Sequence, residues 1–195
     1  MTESQFNQFA AAGYNRIPLV LETFADLDTP LSVYLKLANQ PDTYLLESVV
    51  GGERFGRYSF IGLAAGTKLE VRGNECGEFA HGALENSTHA DDPLQFVQQY
   101  QARFKAAPQS GLPRFCGGLV GYFGYDTVRY IERRLAGNQK PDPLGVPDIL
   151  LLLSQELAIV DNLSGKLTLV VYADPAQPGA YRAARNRLGE LLEKL

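Results

Sequence analysis

From Ile149 to Asp174 the chain reads ILLLLSQELAIVDNLSGKLTLVVYAD, two apolar runs set around Asn162-Leu163-Ser164-Gly165. Runs of Leu, Val and Ile separated by such a tetrad specify a β-hairpin, so this half of the chain is committed to strands. Shorter segments agree. RIPLVLETFADL, Arg16 to Leu27, predicts a strand containing Ile17, Leu19 and Leu21, and RYSFIG and TKLEVRG alternate as antiparallel strands do. Helices are predicted at three places. Thr29 caps and Pro30 opens the first, with Leu31, Tyr34, Leu35 and Ala38 at helical spacing. Asp92-Pro93 repeats that signal ahead of Leu94, Val97, Gln101 and Phe104. From Ala180 onward Tyr181, Ala184, Leu188, Leu191, Leu192 and Leu195 align on one side of a helix. It lacks a Gly or Pro stop, an expectation that the natural chain continues. Residues 74–91 read as a turn-rich excursion and 141–148 as an irregular connection. Strands interspersed with few helices give an α+β fold with largely antiparallel sheets. The expected organisation is a flexible segment 1–15 followed by a single domain, 16–195.

Several function classes are disfavoured. The net charge is −4, from 18 basic and 22 acidic residues that are mostly scattered, which argues against a nucleic-acid partner. The sequence contains no secretory signal and no apolar run of membrane length, so the cytoplasm is the default and a membrane role is not expected. In that compartment Cys76 and Cys116 read as two free thiols. His81 and His89 fall in the polar excursion and read as loop residues, and neither Cys-x-x-Cys nor His-Glu-x-x-His is present to suggest a metal site. Gly117, Gly118, Gly121 and Gly124 lack the spacing of a dinucleotide fingerprint or a P-loop, and fit a strand closely approached by backbone or rings. No Gly-x-Ser-x-Gly elbow occurs. In Asp91-Asp92, helix capping accounts for one carboxylate.

YLLESVVGGERFGRYSFIG, Tyr44 to Gly62, differs in kind. An apolar run entering Gly51-Gly52 reads as a mostly buried strand, and Glu47 and Ser48 interrupt it. A polar pair buried there needs partners, because an unsatisfied buried group costs about 1–3 kcal/mol. One reading pairs Glu47 with Arg54 or Arg57 and bonds Ser48 to backbone. The other is a small polar pocket, with Arg57 and Tyr58 lining it if the two strands form a hairpin, and with Glu47 suited to an amino-bearing ligand.

At these residues the chain resembles the N-terminal domain of anthranilate synthase component I. RIPLVLE, DLDTPLSVYLKL, YLLESVVGGERFGRYSFIG, GGLVGYFGYDTVRYIE and VPDILLLLSQELAIVDNLSGKLTLVVYADP follow that family in order, from about Arg16 to the end. The related aminodeoxychorismate synthase component I shares several of these segments and is the alternative within the class. A free-standing small-molecule binding or scaffold domain is the alternative outside it. The resemblance implies that Leu46, Glu47 and Ser48, with Tyr58 as a weaker candidate, form half of an allosteric L-tryptophan site. It implies no catalytic residue here, and a fragment inactive by itself. It also implies a larger C-terminal chorismate-binding domain that holds the Mg²⁺ ligands, and a glutamine amidotransferase subunit supplying ammonia. In the whole enzyme, chorismate and ammonia would give anthranilate and pyruvate.

Overall fold

The structure is a computed structural model that describes residues 1–47, 56–135 and 142–195, without the Arg133 side chain. In chain order the elements are α1 (Glu3–Ala11), β1 (Ile17–Phe24), α2 (Pro30–Leu37), β2 (Tyr44–Leu46), β3 (Tyr58–Gly62), β4 (Thr67–Arg72), β5 (Glu75–Ala80) and β6 (Ala83–His89). There follow α3 (Pro93–Gln101), β7 (Gly118–Phe123), α4 (Val128–Ile131), β8 (Ile149–Ser154), β9 (Glu156–Asp161), β10 (Lys166–Ala173) and α5 (Ala180–Glu193). The α+β expectation holds: the strands form two five-stranded sheets, with antiparallel pairing throughout the registered pairs. No helix among the described residues is long and apolar enough to cross a membrane.

Within the chain, two compact units are distinguished. The first comprises 1–65, 104–118 and 154–195, and the second 66–103 and 119–153. The reason lies in the apolar run from Ile149 to Asp174. β8 and β9 are separated only by Gln155, yet they belong to different sheets, so one continuous hydrophobic stretch feeds two cores.

In the first unit the strand order is β1-β10-β9-β3-β2. The predicted hairpin is β9–β10, with Asp161 opposite Lys166. Alternation sends Ala158 and Val160 of β9 and Leu167, Leu169 and Val171 of β10 into one core, and Leu157, Ile159 and Val170 into another on the opposite face. Helices cover the first face. α5 buries Ala184, Leu188 and Leu191 there, each leucine contributing about 2 kcal/mol of apolar burial. Arg187 holds the same helix to Glu156 through N–H···O contacts of 2.9–3.0 Å. α2 begins as read, with Thr29 accepting from Ser32 N at 3.1 Å and Pro30 in the first turn. Its buried face is different: Val33, Leu37 and the capping Ala38 are inside, while Leu31 and Leu35 are exposed. A 3.6-residue period allows both stripes, and packing on β2 and β3 selects one. Residues 1–15, expected to be a flexible lead, hold α1, whose Thr2–Gln5 capping box and buried Phe6 join the core.

In the second unit the order is β6-β5-β4-β8-β7. Residues 74–91, expected to be turn-rich, are the β5–β6 hairpin. Its two-residue turn, His81-Gly82, has both φ angles positive (49° and 82°), the primed-turn geometry that suits strand twist. His89 accordingly stands at a strand end, 2.7 Å from Glu75. α3 starts on Asp92, which accepts from Leu94 N and Gln95 N as expected. It buries Pro93, Val97 and Tyr100 rather than the stripe through Gln101. In β7 a Cβ on Gly121 would lie 1.9 Å from the Leu150 carbonyl oxygen, the close backbone approach expected of that glycine. Both cysteines are free, and burial pushes the Cys76 thiol up.

Candidate functional site

Of the site residues read from sequence, Leu46, Glu47 and Tyr58 lie at the β2–β3 end of the first unit. β2 is an edge strand of three residues whose register sets Tyr44 against Gly62, Leu45 against Ile61 and Leu46 against Phe60. Leu46 is half-exposed. Glu47 follows the strand and is exposed, so the expectation of a buried carboxylate is corrected: the regular pairing stops at Leu46, one residue before it. Ser48 and Arg54 lie outside the described residues. Tyr58 opens β3 opposite Asp161 and is partly buried. The hairpin pairing of β2 with β3 therefore brings Leu46 and Tyr58 to one end of one sheet, separated along β3 only by Ser59 and Phe60.

Arg57 does not pair with Glu47. Its guanidinium donates to both oxygens of Asp161 (2.8–3.2 Å) and lies 4.9 Å over the Tyr58 ring. Arg57 holds the Asp161 carboxyl down at about 2, helped by the Ser164 side chain and the Leu163 backbone N–H of the hairpin turn and opposed by partial burial. The cross-strand partner of Tyr58 thus serves as counter-ion and turn cap at once. Beside it Asn162 donates to the fully buried Ser59 hydroxyl at 3.1 Å.

Sequence reasoning missed the aromatic face that extends from Tyr58. Tyr58 and Phe60 are two apart on β3 and share a face, with ring centroids 6.1 Å apart. Phe115, from the 112–116 segment, meets Phe60 edge-on at 5.0 Å and Tyr44 at 6.5 Å. The Tyr44 hydroxyl lies 2.7 Å from the buried Ser154 hydroxyl, and burial pushes its pKa up, opposed by that bond. Burial, with a hydrogen-bonding contact of 3.3 Å from Cys116 Sγ, also raises Tyr172. All these rings are partly exposed. The alternation of Tyr58 and Phe60 was a legible signal. The arrival of Phe115 from 55 residues further along was not.

Chemically the arrangement is a half-open aromatic face beside an exposed carboxylate at Glu47 and an engaged Arg57–Asp161 pair. No nucleophile–base pair is positioned on it, and no cluster of three His, Cys, Asp or Glu side chains able to hold a metal occurs among the described residues.

No family model matches the chain. Along its whole length it is 56% identical to anthranilate synthase component 1 of Neisseria meningitidis serogroup B and 54% identical to that of Pseudomonas putida. It is 39% identical over 93% of its length to the Aquifex aeolicus protein of the same name. The chain spans 40%, 40% and 37% of those relatives, respectively. Among solved structures, anthranilate synthase component I from Streptococcus pneumoniae matches 87% of the chain and 36% of its own length, with a TM-score of 0.52 at 22% identity, a likeness of fold.

Proposed function

This chain belongs to the anthranilate synthase component 1 family, matching its N-terminal part, and from that premise we propose that it is the regulatory portion of a cytoplasmic enzyme of tryptophan biosynthesis. The observation that supports this most is the 56% identity sustained over all 195 residues. The complete enzyme converts chorismate and ammonia, taken from glutamine by an amidotransferase subunit, into anthranilate and pyruvate. The chemistry belongs to the C-terminal remainder. A Mg²⁺ ion would supply charge stabilisation there; the described residues of this chain offer no donor set that fits it, and no step runs through them.

The role of this chain is recognition. Leu46, Glu47, Ser48 and Tyr58 form half of an L-tryptophan site. An exposed Glu47 is open to an amino-acid ammonium group, and the half-open rings of Tyr58 and Phe60 offer an apolar wall to an indole. Inhibition is a coupling between sites: tryptophan favours an arrangement that binds chorismate poorly, and chorismate weakens tryptophan by the same factor.

The first test is an amide-resolved NMR titration of this chain with L-tryptophan to millimolar concentration, with L-phenylalanine as control. Saturable, tryptophan-selective shifts at Glu47, Ser48 and Tyr58 are expected. In the full-length enzyme Ser48→Phe is expected to leave activity intact and resistant to tryptophan, and undiminished inhibition would sink the site assignment. The 195-residue chain alone is expected to form no anthranilate.

A further inference from the structure

The second unit ends on an edge that water does not suit. β7, GLVGYF, is the last strand of its sheet and, among the described residues, has a hydrogen-bonded neighbour, β8, on one side only. The outward row of its N–H and C=O groups is a template for another strand, and proteins ordinarily blunt such edges with lysine, proline or a bulge. β7 contains no charged residue and no proline. The opposite edge, β6, is built otherwise: ALENSTH is mostly polar, and every residue is exposed.

Exposed apolar surface gathers at the Phe123 end of β7 and in the residues that follow it. Of the sixteen exposed large apolar side chains among the described residues, eight fall between positions 122 and 146. Tyr122 and Phe123 are on the strand itself, Tyr125 is 93% exposed, and Val128 and Ile131 are on α4. The Tyr122 hydroxyl donates to the Pro147 carbonyl at 3.1 Å and Gly124 N donates to the Asp148 carbonyl at 2.7 Å, tying the segment that holds Leu144 and Val146 to the same strand. A patch of this kind marks an interaction surface.

We infer that a strand from the C-terminal remainder of the full-length protein pairs with the free edge of β7, and that the same remainder covers the apolar surface beside it. The length of the relatives argues for this occupant: the chain matches them throughout, yet spans only 40% of the Neisseria and Pseudomonas proteins, so three-fifths of their length lies outside the matched part. The inference rests on the reading that these residues are part of a longer enzyme, and it adds which strand is completed.

The test is hydrogen–deuterium exchange, resolved to single amides by fragmentation mass spectrometry, on the 195-residue chain and on the full-length gene product. In the full-length protein every second amide of 118–123 is expected to exchange at least about 100-fold more slowly than in the short chain, because only outward N–H groups gain partners. Amides of β6 are expected to exchange alike in both. Equal exchange at 118–123 would overturn the inference, as would uniform slowing, which means cover without pairing. Slow exchange in the short chain that is lost on dilution would assign the edge to a second copy and overturn it too. A gene that stops at codon 195 would refute the longer-enzyme reading itself, an outcome distinct from all of these.

Discussion

Gly62→Ala tests how β2, the strand that leads into the proposed tryptophan site, is held. Gly62 lies across from Tyr44, and a Cβ added there would fall 1.9, 2.3 and 2.4 Å from three atoms of the Tyr44 ring. The ring would have to retreat by about 1.5 Å to reach ordinary van der Waals distance. That retreat breaks the 2.7 Å contact with Ser154 and loosens packing on Phe115. Overpacking costs about 1–3 kcal/mol and the lost hydrogen bond about 1 kcal/mol more, so a loss of about 2–4 kcal/mol is expected. Tyr44→Phe, which keeps the ring and leaves the buried Ser154 hydroxyl without that partner, is expected to cost about 1–2 kcal/mol. The decisive comparison is a double-mutant cycle read from urea midpoints at constant m. With Tyr44→Ala in place the alanine at 62 has nothing to displace, so its cost should fall by at least about 1 kcal/mol. Additivity within about 0.3 kcal/mol would refute the claim that the Tyr44 ring occupies the space of the missing side chain.

Three further outcomes are expected. The Asp161 carboxyl, held at about 2 against an ordinary 3.8, stabilises the fold above pH 4, and that contribution is lost as pH falls through about 2. After allowance for the exposed Arg57 end of the pair it is about 1 kcal/mol. The stability gap between wild type and Asp161→Asn should therefore close between pH 4 and 2 in urea titrations, and a constant gap would count against it. Gly121→Ala drives a methyl into the Leu150 carbonyl oxygen, backbone that cannot rotate away, and should cost about 3 kcal/mol or more; a thermal midpoint close to wild type would contradict this. On α2, Val33→Ala should destabilise by about 1–3 kcal/mol and Leu31→Ala by less than about 0.5 kcal/mol, and a reversed order by denaturant unfolding would restore the other stripe.

Local chemistry made much of the chain readable. Thr29-Pro30 and Asp92-Pro93 opened helices because a side-chain oxygen and a proline satisfy the first turn without help from elsewhere. The 162–165 tetrad turned β9 into β10 for the same reason. The α5 stripe was legible because its leucines leave only one apolar face. The resemblance carried the family, and the proposed site at Leu46, Glu47, Ser48 and Tyr58 rests on it, because residue patterns alone left Glu47 and Ser48 divided between an ion pair and a pocket.

What the sequence could not decide were choices between partners. Leu31–Leu35 and Val33–Leu37 are equally helical stripes, and only the sheet beneath α2 prefers one. The polar segment 74–91 offers little apolar reason to be extended, and it becomes strands because β4 presents β5 with a ladder to complete. Arg57 was open to pairing with nearby Glu47, and the carboxylate it found, Asp161, is 104 residues away. Phe115 completes an aromatic face that no spacing announces. Capping, turn geometry and periodicity are set within a few residues and so were determined by the sequence itself. Which face is buried, which charge is paired and which strand is left with an open edge depend on long-range contacts, and those only the tertiary structure decided.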